Sequence, residues 1–171
     1  MIIFVTGGAR SGKSDFAQRT AEGIAGKRLY LATAEALDEE MAERIEKHRE
    51  SRAGLWDTIE EPLMLGKALR GVFGAYDVIL VDCVTLWVSN LLGRLAGDEE
   101  KMKELLDDGI DALGSHSGTV IFVSNEVGMG IVPENGLARH YRDMLGRVNQ
   151  WLAERADTVY FMCAGIPMKI K

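Results

Sequence analysis

Eight consecutive residues hold the clearest chemistry of this chain: Gly7-Gly8-Ala9-Arg10-Ser11-Gly12-Lys13-Ser14, read as G-x-x-x-x-G-K-S. That spacing is the P-loop pattern. Glycines at 7, 8 and 12 let the backbone turn tightly and aim several N–H groups into one concavity. Lys13 brings a cation within reach of outer phosphates, and the Ser14 hydroxyl is a hard ligand for Mg²⁺. A second signal is Asp77-Val78-Ile79-Leu80-Val81-Asp82, an apolar run ending in a carboxylate. Such a carboxylate accepts a hydrogen bond from the P-loop hydroxyl or from a Mg²⁺-bound water. A glycine-rich turn that binds nothing is the bland alternative, but loop, lysine, hydroxyl and carboxylate agree. Together they specify a nucleoside triphosphate site and leave the reaction open.

Other candidates are weaker one by one. The periodicity predicts a helix over 36–50, with Leu37, Met41, Ile45 and His48 on one face. Spacing alone favours a hydrogen-bonded core role for His48. Arg49 and Arg52 follow it and suit either polyphosphate oxygens or solvent. Thr33, between Ala32 and Ala34, ends a strand-like run and could present a hydroxyl or backbone groups to a nucleotide. Residues 124–135, Ser-Asn-Glu-Val-Gly-Met-Gly-Ile-Val-Pro-Glu-Asn, form a long polar and glycine-rich loop, and compact domains rarely keep such loops without a use. Two compatible readings stay open: a substrate lid, or an apolar patch of Met129, Ile131 and Val132 that packs on another subunit.

These residues need a scaffold. Strand-like runs recur at Ile2–Val5, Arg28–Ala32, Val78–Val81, Thr119–Val123 and Thr158–Met162, with a shorter one at Trp56–Glu60. Helical patterns separate most of them: 14–25, 36–50, 62–72 beginning on Pro62, 85–95, a more charged 98–113, and 137–156. Continuous apolar strands alternating with helices imply an α/β fold with a mostly parallel sheet covered on both faces. Ligands in such sheets collect at the carboxyl ends of strands. The P-loop, Thr33, Asp82 and Asn125-Glu126 all fall there and are predicted to share one crevice. His116 falls in a Gly-Ser-His-Ser-Gly stretch expected to be exposed.

The 171 residues suit one domain with a single core. A formal charge of −6 argues against nucleic acid or an anionic membrane as partner. No apolar run reaches spanning length. Cys83 and Cys163 lack metal spacing and lie in apolar segments, so they read as reduced core residues of a cytoplasmic protein.

Four blocks in order resemble the adenosylcobinamide kinase / adenosylcobinamide-phosphate guanylyltransferase family. They are the P-loop, then Asp82-Cys83-Val84-Thr85-Leu86-Trp87-Val88-Ser89-Asn90, then Asn125 to Asn135, then Ala138-Arg139-His140-Tyr141-Arg142-Asp143 with Gly146-Arg147-Val148-Asn149-Gln150. The resemblance spans essentially the whole chain and implies a RecA-like P-loop fold. It implies two activities: phosphorylation of adenosylcobinamide by ATP or GTP, then transfer of GMP from GTP to the phosphate. On it, His48 is the guanylylated nucleophile and Lys13 its catalytic companion in the P-loop. Nucleotide contacts fall on Gly7 to Ser14, Ala32, Thr33, Ala34, Arg49, Glu50, Ser51, Arg52, Glu60 and Asp82, with Ser14 and Asp82 at Mg²⁺. A homotrimer and a corrinoid substrate are implied by the same resemblance. A monofunctional P-loop kinase and a GTP-binding switch are the competing readings.

Overall fold

The computed structural model describes residues 1–35, 54–115 and 118–171. The helix expected over 36–50, with His48, and the loop residue His116 lie outside them.

Among the described residues, seven strands form one sheet: β1 (Ile2–Gly7), β2 (Arg28–Ala32), β3 (Asp57–Glu60), β4 (Val78–Asp82), β5 (Thr119–Val123), β6 (Thr158–Cys163) and β7 (Ile166–Lys169). Their order is β3-β2-β4-β5-β1-β6-β7. All neighbours run parallel except β6 and β7, an antiparallel hairpin. The unbroken apolar runs follow from burial on both faces. Alternation sends Phe4, Ile79, Val81 and Phe122 into one core, and Ile3, Val5, Val78, Leu80 and Ile121 into the other.

Five α-helices cover the described sheet: α1 (Lys13–Glu22), α2 (Leu65–Val72), α3 (Val84–Arg94), α4 (Glu99–Asp111) and α5 (Gly136–Arg155). Helix α1 seals one face with Ala17 and Ala21. On the other, α3 and α5 bring Trp87, Val88, Leu91, Leu145, Val148 and Leu152 against the strands. Helix α4, read from the sequence only as a more charged segment, buries Met102, Leu106 and Ile110. Its charged face is the solvated one.

Two expectations need correcting, and one strand went unforeseen. Pro62 does not open a helix: α2 starts at Leu65, because the Glu61 carboxylate accepts from the N–H groups of Leu63 and Met64 and holds a turn there. Cys163 is exposed, not core, since it ends β6 at the hairpin turn. Strand β7 carried no signal in the sequence, and all four of its residues are exposed; a solvated edge strand lacks the apolar pattern that marks a buried one.

Two aspartates tie strand starts together. Asp157 Oδ2 accepts from Ile2 N at 2.6 Å, and Asp77 Oδ2 from Lys27 N at 2.8 Å. These bonds set the register of β1 and β2 before the chain reaches the carboxyl edge.

Candidate active site

The P-loop leaves β1 in the middle of the sheet. Gly7 takes φ +148° and Gly12 φ +85°, backbone that L side chains rarely adopt. Gly7 also lies so close to β6 that a Cβ on it would stand 2.4 Å from the Met162 carbonyl oxygen. A reverse bond from Ser11 N to Gly8 O closes the loop at 3.3 Å. Helix α1 starts at once with Lys13, so its free N–H groups face the loop's interior.

Lys13 is only 8% exposed. Its ammonium donates to Gly8 O at 2.6 Å and lies 3.4 Å from Ser11 Oγ. Burial lowers its pKa from the ordinary lysine value, while nearby Cys83 and Asp82 pull it back up. The hairpin between β6 and β7 braces the loop from behind, where Gly165 N donates to Ser11 O at 3.1 Å.

A cavity of about 500 Å³ opens at this edge. Ala9, Arg10, Ser11, Gly12, Lys13 and Ser14 line one wall. Tyr30, Ala32, Ala34, Asp82 and Cys83 line the second, and Thr85, Leu86, Ser124 and Asn125 the third. The volume is of the size that holds a small ligand. The predicted convergence of P-loop, Asp82 and Asn125 is therefore present. Ser14 and Asp82 share the cavity and offer a hydroxyl and a carboxylate, the hard oxygen donors Mg²⁺ takes alongside phosphates. The residues present thus fit that ion.

Other expected contacts fall elsewhere. Gly7 and Gly8 shape the entry turn. Thr33 is fully buried, with its hydroxyl spent on Cys83: it donates to Cys83 O at 2.6 Å and accepts from Cys83 N at 2.9 Å. It clips the end of β2 to the end of β4. Glu60 ends edge strand β3, exposed and level with Ala32, outside the residues that line the cavity. His48, Arg49, Glu50, Ser51 and Arg52 lie outside the described residues.

Sequence reasoning missed two wall residues and two side chains that brace the backbone behind them. Tyr30 donates from its hydroxyl to Asp82 Oδ2 at 3.0 Å. The period of two that places Ala32 at the cavity also places Tyr30 there, which is the signal that was available. Cys83 forms part of the wall; burial, helped by Asp82, pushes its thiol up to about 11, so it stays protonated near neutrality. Asn90 donates to Thr33 O at 2.8 Å and fixes the same clip from α3. Tyr141 of α5 donates to Thr85 O at 3.2 Å, and burial pushes its hydroxyl up to about 12.

Solved structures share this architecture. The RadB recombinase matches with a TM-score of 0.53 at 13% identity, over 94% of this chain and 73% of its own. A type III secretion system ATPase matches at 0.55 and 12%, over 95% of this chain, which spans about half (52%) of that longer protein. Such likenesses show fold alone. A P-loop running into a helix, with an acidic strand end across β5, defines a RecA-like P-loop nucleotide-binding protein. The model of the cobinamide kinase / cobinamide phosphate guanyltransferase family matches residues 3–170. The chain belongs to that family of transferases. It is 45% identical, over the full length of both chains, to the bifunctional adenosylcobalamin biosynthesis protein CobU of Salmonella typhimurium. It is 44% identical to CobP of Pseudomonas aeruginosa, over 98% of this chain and 95% of that one.

Proposed function

We propose that the protein carries out both reactions for which its family is named. It phosphorylates the aminopropanol hydroxyl of adenosylcobinamide with ATP or GTP. It then transfers GMP from GTP to adenosylcobinamide phosphate, giving adenosylcobinamide-GDP and pyrophosphate. The observation that carries this reading is one cavity shared by Lys13, Ser14 and Asp82 in a chain that the family model matches over residues 3–170.

In the first reaction the hydroxyl oxygen attacks the γ-phosphorus, the bond to the β–γ bridging oxygen breaks, and the hydroxyl proton passes to solvent. Lys13 and the loop N–H groups hold phosphate oxygens as charge shifts onto the leaving nucleoside diphosphate. In the second, a neutral imidazole nitrogen of His48 attacks the α-phosphorus and pyrophosphate leaves. A phosphate oxygen of the corrinoid then displaces the histidine, so one difficult transfer becomes two easier ones. Arg49, Glu50, Ser51, Arg52, Glu60 and the Ala32–Ala34 strand end steady the nucleotide. Mg²⁺, held by Ser14 and Asp82, supplies charge neutralisation at the phosphates.

The active form is a homotrimer in the cytoplasm. Supporting the assembly, Met129, Ile131, Val132 and Leu137 are all exposed around one loop. No described helix is long and apolar enough to cross a membrane.

GTP labelled at the α-phosphate is expected to leave an acid-labile, base-stable adduct on the protein, absent from His48→Ala. Persistence of the adduct in that variant removes His48 as nucleophile. A chain that makes the corrinoid phosphate but never releases pyrophosphate would be a simple kinase.

A further inference from the structure

Strand β5 lies between the P-loop strand β1 and the Asp82 strand β4, and Val123 is level with both Val5 and Asp82. The next three residues are pinned along their backbone. Ser124 N donates to Val5 O at 3.0 Å, and Glu126 N to Gly7 O at 3.0 Å. Between them, Asn125 N donates to Thr85 Oγ1 at 2.8 Å, and Asn125 O accepts from Asn149 Nδ2 at 3.0 Å. Asn149 is buried in α5, and its Oδ1 accepts from Ser124 Oγ at 2.7 Å.

Alternation turns Ser124 toward α5 and Asn125 toward the opposite face, where α1 and Lys13 lie. Among the described residues the Asn125 carboxamide has no hydrogen-bond partner, although it lines the cavity. An amide held this firmly by its main chain, with both ends of its side chain unspent among the described residues, is a ready two-point contact.

We propose that Asn125 is a catalytic residue of the phosphorylation half-reaction. Its Nδ2 donates to a non-bridging oxygen of the γ-phosphoryl group, and its Oδ1 accepts from the attacking hydroxyl, so nucleophile and phosphorus are held in line. The carboxamide takes no proton. The O–P bond forms, the β–γ bridge breaks, and the hydroxyl proton leaves to solvent as before. Asn149 is a positioning residue that acts through the Asn125 carbonyl. The proposal rests on the two-reaction reading and assigns the amide to one reaction alone, because the α-phosphorus lies two phosphates away.

The test measures both half-reactions separately in the full chain, together with affinity for a non-hydrolysable GTP analogue and the thermal midpoint. Asn125→Ala is expected to keep its midpoint and to weaken analogue binding by no more than a few-fold, for the loss of one γ-phosphate contact. Its kcat for corrinoid phosphorylation should fall by about 100-fold or more, the usual cost of one aimed donor. GMP transfer to pre-made adenosylcobinamide phosphate should stay within a few-fold of wild type. Asn149→Ser should show a smaller loss with the same split. A wild-type kcat in Asn125→Ala, or equal losses in both half-reactions, overturns the assignment. A wild-type protein that makes no corrinoid phosphate fails the two-reaction reading instead, so the two failures are distinct.

Discussion

The Lys13 ammonium is held inside the protein against its preference for water. Its folded pKa is lowered by burial. Between that value and the unfolded one, the unfolded chain binds more protons, so stability rises with pH across that alkaline window. Below the window the destabilisation is fully present. Lys13→Met is therefore expected to melt higher than wild type near neutrality, with the gap closing as pH climbs toward the ordinary lysine value. Phosphate transfer should be abolished in the same variant, and scanning calorimetry over pH beside a kinase assay reads both effects. The two thiols differ as well. Cys83 is a protonated wall residue with a pKa of about 11, whereas Cys163 is exposed. Iodoacetamide near neutrality should modify Cys163 first, and GTP should slow the later modification of Cys83 while leaving Cys163 unaffected; mass mapping of alkylated peptides checks the order.

At the scale of elements, close approaches decide where the helices sit. A Cβ on Gly66 of α2 would stand 2.4 Å from the Asp108 carbonyl oxygen of α4. Backbone cannot swing aside as a side chain can, so Gly66→Ala must push the helices apart. Overpacking of this kind costs about 1–3 kcal/mol, and each kcal/mol lowers the midpoint by about 2–4 °C in a chain of this size. Catalysis should be spared, because neither helix touches the cavity. Such contacts also mark the limit of what a sequence discloses. P-loop, Asp82 and the five parallel core strands were legible because a motif or a two-faced apolar run declares itself locally. The helix α2 start was not, since Glu61 competes for the N–H groups that Pro62 leaves free. Nor were Tyr30, Asn149 and the Thr33–Cys83 clip, because their partners lie 52, 24 and 50 residues away. Non-local partners are chosen by packing, which single-residue propensities do not encode.

For the whole molecule, the loop after β5 matters most. Ile131 is 95% exposed, beside Met129 and Val132. A chain with net charge −6 keeps itself apart in solution unless some surface offsets the repulsion. If the proposed trimer packs on this loop, Ile131→Asp should lower the mass of the eluting peak toward that of a monomer, as light scattering would register. An unchanged mass would overturn this loop as the contact of the proposed trimer. The hairpin behind the P-loop has a consequence of another kind. The cradle lies on residues 7–14, yet the N–H that steadies Ser11 belongs to Gly165, in the turn between β6 and β7. The glycines and the lysine are thus local in sequence, while their brace is not. A change in that turn therefore reaches the phosphate cradle through Ser11 without altering any residue that lines the cavity.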